Sequence, residues 1–138
     1  MTAAGGNGAE PAGAGTPAST DTQLTHPRPA YLIVDCVDLA AVSTFWASLL
    51  GMTVRKVEDG WLDLEPLAGG PVLAFQRVPE GKTAKNRLHL DLAVPDVAAA
   101  GQRAARLGAT AASDLHDGSD PWQVWRDPEG NEFCFVTG

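Results

Sequence analysis

Cysteine, basic charge and long apolar runs are all scarce in this 138-residue chain, and each shortage excludes something. The two cysteines, Cys36 and Cys134, are too few for a disulfide framework and lack the spacing of a zinc knuckle. They read as buried free thiols in a reducing compartment. Ten Lys and Arg stand against seventeen Asp and Glu, a net charge of −7. Because phosphate-backbone binding needs a basic face, that balance argues against nucleic acid as a partner. No run approaches the roughly 18 apolar residues that a membrane helix requires, so no membrane partner is expected. What is present is ordinary for a soluble domain, with 44% hydrophobic and 20% charged residues. The length suits one core rather than two.

Residues 1–28 are almost entirely Ala, Gly, Thr, Pro and Ser with few charges, too little apolar surface to offset the entropy of ordering. A disordered tail is expected there, followed by one domain over 29–138. The tail has neither the basic start and apolar stretch of a secretory signal nor the Arg-rich pattern of a transit peptide. Cytoplasmic location is the default expectation.

The run YLIVDCV from Tyr31 is rich in strand formers, and DLAAVSTFWASLLG from Asp38 places Leu39, Val42, Phe45, Trp46 and Leu49 at helical spacing. Asp38 can accept the free amide hydrogens of the first turn, and Gly51 can adopt the left-handed conformation that ends a helix. Strand-like runs follow at MTVRKV from Met52, WLDLEP from Trp61 and PVLAFQRV from Pro71, punctuated by Asp59-Gly60 and Gly69-Gly70. This is a βαβββ unit spanning about 30–78. A polar connector from Pro79 to Asn86, with Lys82 and Lys85, leads into a second one over about 87–137. There RLHLDLAV from Arg87 is a strand, Asp96 caps the helix VAAAGQRAARL, and Gly108 ends it. Further strands are predicted near Thr110 to Leu115, Trp122 to Arg126 and Glu132 to Val136.

The repeat keeps phase, since Tyr31 lies seven residues before Asp38 and His89 seven before Asp96. Glu65-Pro66 before the last strand of the first unit is echoed by Asp127-Pro128 before the last strand of the second. Strand alternation then sorts the side chains. Leu32, Val34 and Cys36, like Leu88, Leu90, Leu92 and Val94, pack under the helices; Tyr31, Ile33 and Asp35, like His89, Asp91 and Ala93, face away. On the last strands Phe75, Phe133 and Phe135 match the core face, leaving Gln76 and Cys134 opposite. A cavity lined by Tyr31, Ile33, Asp35, Gln76, His89, Asp91 and Cys134 is expected. Trp61, Trp122 and Trp125 lie on the strands curving around it, with Trp46 on the first helix. At least one of these indoles belongs to the core, while Trp61 and Trp122, similarly placed in the two units, suit aromatic walls for a planar ligand.

The segments LIVDCVDLAAVSTFWASLLG, NRLHLDLAVPDV and WRDPEGNEFCFV together resemble the vicinal oxygen chelate superfamily of glyoxalases, bleomycin-resistance proteins and extradiol dioxygenases. Within it they are similar to the actinobacterial glyoxalase-like domain group. The resemblance covers nearly all of Tyr31 to Val136. It implies an α+β fold in which two βαβββ modules form a cupped, barrel-like mixed sheet with helices outside, and a homodimer. Metal-dependent members carry ligands on the first and last strands of each module, which map here to Tyr31, Gln76, His89 and Cys134. Only His89 is a usual ligand in its usual place, whereas nickel, iron or manganese sites want several imidazoles and carboxylates.

No cofactor is therefore expected, with a divalent metal held by His89 and Cys134, Gln76 or Asp91 as the alternative; for zinc, Asp35 could also complete the set. His89 and Asp91, two apart on one strand face, can serve as general base and orienting carboxylate or can simply hydrogen-bond a ligand. Cys134 has no basic neighbour to activate it and reads as a packing thiol. In Asp127-Pro128-Glu129-Gly130-Asn131 the Pro and Gly offsets specify a tight turn. The leading reading is a binder of a small apolar or aromatic molecule. A lyase or isomerase, or an interaction protein with a vestigial pocket, are the competing ones.

Overall fold

Alternation along the strands and caps at the helix ends account for most of the architecture. The structure is a computed structural model and describes residues 26–66 and 68–138; the tail expectation for residues before 26 lies outside them. The chain divides into units Met1–Ala30 and Tyr31–Gly138, and the second holds β1 (Tyr31–Cys36), α1 (Leu39–Leu50), β2 (Val54–Glu58), β3 (Trp61–Leu64), β4 (Val72–Arg77), β5 (Leu90–Val94), α2 (Val97–Leu107), β6 (Thr110–Ala111), β7 (Trp122–Arg126) and β8 (Glu132–Thr137). Two mixed four-stranded sheets result, ordered β1-β4-β3-β2 and β5-β8-β7-β6. In each, the first strand runs parallel to the last and the rest are antiparallel. The α+β fold of two βαβββ repeats is thus present, as two sheets, with no closed barrel among the described residues.

Asp38 accepts from the Ala41 amide at 3.0 Å and Asp96 from the Ala99 amide at 2.9 Å, satisfying donors that a first helical turn leaves free. Gly51 and Gly108 end the helices at φ 65° and 111°, a region glycine enters without a Cβ penalty. Two expectations shift. The strand expected from Arg87 begins at Leu90, so His89 stands just outside it, and the strand expected over Thr110 to Leu115 shrinks to Thr110–Ala111. The acidic, glycine-bearing segment DLHDGSD lacks the β-branched residues that would extend that pairing. Neither helix, at 12 and 11 residues, is long enough to cross a membrane.

The core lies between helices and sheets. Val42, Phe45, Trp46, Leu73, Phe75, Phe133 and Phe135 are buried, with Phe133 packed against Trp46 at 5.0 Å and against Phe45 at 6.0 Å between ring centres. Trp125, expected near the cavity, faces α2 instead and is buried. Its ring passes so close to Gly101 that a Cβ there would lie 2.6 Å from it.

Polar contacts also tie the repeats together. The Asp127 carboxylate, almost fully buried, accepts from Trp46 Nε1 at 2.9 Å and from Asn131 Nδ2, and it receives the Glu129 and Asn131 amides of its own turn. Glu129 accepts from the Val37 and Asp38 amides at the start of α1, while Arg103 donates to the Leu49 and Ser48 carbonyls at its end. The second repeat therefore caps both ends of the first repeat's helix, an anion at the N-terminus and a cation at the C-terminus. The DPEGN motif is structural, as its turn chemistry implies.

Candidate ligand site

Register decides which side chains meet on the face away from the helices. In the second repeat Asp91 stands opposite Cys134, Val124 opposite Cys134, and Trp122 opposite Val136. Ladder partners share a face, so these residues converge. They line a cavity of about 430 Å³ together with His89, Asp120, Pro121 and Thr137, within the range typical of small-molecule sites. Trp122 keeps 38% of its surface exposed. It is held by His116, which pairs with it through both backbone amides at 3.0 and 3.2 Å and stacks on it at 3.8 Å and 11°. The indole is a fixed wall rather than a loose surface side chain.

His89 Nε2 lies 3.1 Å from Asp91 Oδ1, with both side chains more than half exposed. This geometry allows a carboxylate to orient an imidazole. Cys134 is buried, and burial followed by the Asp91 charge pushes its thiol above the ordinary value. A thiol held protonated is a poor nucleophile.

The matching face of the first repeat is filled by its own side chains. Tyr31, Ile33 and Asp35 align with Val72, Ala74 and Gln76, and Trp61 and Asp63 stand across from Gln76 and Ala74. A bulge between Val54 and Lys56 lets Arg55 reach Asp63 in a bidentate pair at 2.8 and 2.9 Å, and Trp61 Nε1 donates to the same carboxylate at 3.1 Å. The Arg55 hydrogen bonds hold Asp63 below the usual carboxylate range against the opposing effect of burial, with Trp61 assisting. Tyr31 meets Trp61 edge-on at 5.9 Å, and Ala74 is completely buried on this filled face.

The nine residues expected to line or wall one cavity are therefore divided. His89, Asp91, Trp122 and Cys134 come together in the second repeat, whereas Tyr31, Trp61 and Gln76 border neither that cavity nor the seam between the repeats. The seam is a separate cavity of about 310 Å³, where Ile33, Asp35 and His89 meet helix-side residues such as Leu32, Leu73 and Trp46. The two aromatic walls consequently belong to different sheets. The register also places Ala74, rather than Gln76, in the position equivalent to Cys134, because Ile33 pairs with Ala74 as Asp91 pairs with Cys134. An alanine offers no ligand atom. Among the described residues no three His, Cys, Asp or Glu side chains are grouped to hold a metal, so the donors of one chain do not fit the metal centre that the resemblance implies.

Reading the sequence alone missed Arg55, Asp63, His116 and Asp120. Asp63 had a signal, being two residues from Trp61 and hence on the same face; His116 and Asp120 lie in irregular backbone, where alternation carries no information.

A profile of the glyoxalase-like domain family matches residues 31–136. No curated protein matches the chain in sequence. Among solved structures, a glyoxalase/bleomycin resistance protein/dioxygenase family enzyme from Burkholderia phytofirmans PsJN is 19% identical, with a TM-score of 0.65 over 78% of this chain and 96% of its own. A glyoxalase-related enzyme from Fulvimarina pelagi is 17% identical, with a TM-score of 0.67 over 81% and 88%. The bleomycin-binding protein of Streptomyces verticillus, solved with copper(II)-bleomycin, is 21% identical, with a TM-score of 0.56 over 80% and 96%.

Proposed function

Because the chain belongs to the glyoxalase-like domain family, we propose that it binds a small apolar or aromatic molecule in the cavity of its second repeat, without the family's metal centre. The observation that carries this is Trp122, a half-exposed indole braced by His116 at the wall of a cavity of about 430 Å³. Apolar Val124, Val136 and Pro121 complete the lining, and the few polar groups present can fix a ligand's orientation. The donor geometry supports the absence of metal, and the bleomycin complex of a distant structural relative makes sequestration a natural role for the fold. We further propose a cytoplasmic homodimer, in which the exposed Tyr31 and Ile33 of the first repeat supply apolar contact area.

The His89–Asp91 contact at 3.1 Å favours a second reading, a lyase or isomerase that uses the pair as base and orienter. Titration of tryptophan fluorescence against a panel of planar metabolites tests the first. Saturable quenching that is lost in Trp122→Phe is expected, and failure of every compound to quench or to stabilise the protein would remove the binding reading. Turnover of a bound compound that disappears in His89→Gln would favour the second.

A further inference from the structure

The charges around this cavity specify its ligand further, on the premise of the binding reading above. Asp91 and Asp120 both line the cavity, and no lysine or arginine does. Four carboxylates elsewhere in the molecule are matched by guanidinium or ammonium groups: Asp63 by Arg55, Asp59 by Arg77, Glu58 by Lys56 and Glu132 by Lys85. Asp91 has only His89 beside it, and Asp120 has no ion-pair partner among the described residues. The segment leading to Asp120 also carries Asp114 and Asp117, both exposed.

Two features of the lining turn this into a ligand class. Apolar walls of Pro121, Val124 and Val136 lower the local dielectric, which strengthens attraction between a carboxylate and a cation and penalises an anion. The indole of Trp122 attracts a cation over its face and stacks on a flat ring. His116 stacks on one face of that indole, which leaves one face for a ligand. We propose that the cavity selects planar organic cations, with Asp91 and Asp120 as the charge partners and Trp122 as the stacking surface.

Isothermal titration calorimetry of the full chain with three probes on one ring skeleton tests this: 9-aminoacridine, a cation at neutral pH, acridine, which is neutral, and acridine-9-carboxylate, an anion. The cation should bind at one per chain and about tenfold or more tighter than acridine, roughly the discrimination that one such contact gives, and the anion should not bind detectably. Asp91→Asn and Asp120→Asn should each weaken the cation several-fold and narrow its preference over acridine, and added salt should weaken the cation more than acridine. Both side chains are exposed, and circular dichroism would verify that the variants fold. Equal or tighter binding of acridine or its carboxylate, or a cation preference that survives both substitutions, would overturn the proposal while leaving the binding reading intact. Absence of binding by all three would overturn both.

Discussion

Replacing Asp127 with alanine should destabilise the protein by about 3–5 kcal/mol, a figure built from the bonds it holds. The Trp46 indole N–H is buried and has Asp127 as its acceptor at 2.9 Å, and leaving such a donor unsatisfied costs about 1–3 kcal/mol. The Glu129 and Asn131 amides and the Asn131 side chain also lose their acceptor. They are only partly buried, so water replaces some of these bonds and each contributes about 0.5–1 kcal/mol. Urea unfolding followed by tryptophan fluorescence gives the difference, valid if the m-value is unchanged. Trp46→Phe removes the same donor, so the double variant should fall short of additivity by about 1–2 kcal/mol. A cost below about 0.5 kcal/mol for Asp127→Ala, or strict additivity, would refute the idea that this carboxylate ties the repeats together.

Other outcomes follow from the same structure. Gly101→Ala should destabilise by about 1–2 kcal/mol in thermal or urea unfolding, because overpacking against Trp125 outweighs the gain in helix propensity. Asp63 has a depressed folded pKa, so its stabilisation is complete above the ordinary aspartate value and is lost as pH falls through the folded one. Arg55→Gln should raise that pKa, seen by NMR, and acid unfolding should begin at higher pH. Burial, with the nearby Glu129 and Asp127 charges, pushes the Cys36 thiol up to about 11. The native protein should accordingly resist thiol reagents at neutral pH at Cys36, and at Cys134 more strongly once a ligand occupies the cavity, measured by mass spectrometry of alkylated peptides.

Much of the fold could be read before any coordinates, because its determinants are local. Asp38, Gly51, Asp96 and Gly108 punctuate the helices by backbone chemistry alone, and alternation put Leu32, Val34, Phe75, Phe133 and Phe135 on the buried face. The site was less legible, since alternation says which residues share a face but not whether that face is open. The Arg55 pair with Asp63 depends on a bulge, and that pairing fills the first repeat. Trp125 is instructive in the other direction: it lies three residues from Trp122, an odd step along a strand, so the signal that separates the two indoles was present in the sequence although both were expected around the cavity. Gly101, a helix-interior glycine with no local rationale, makes sense only against the Trp125 ring.

On the proposed binding reading, the second repeat, and not the first, receives the ligand. The four tryptophans give four indole N–H signals in a ¹H–¹⁵N NMR spectrum, assignable by single substitutions, and titration with 9-aminoacridine reads all of them at once. A saturable shift of the Trp122 signal is expected, accompanied by the Asp91 and Cys134 backbone amides, with Trp46, Trp61 and Trp125 nearly unmoved. Shifts centred on Trp61 and Tyr31, with Trp122 unchanged, would contradict it.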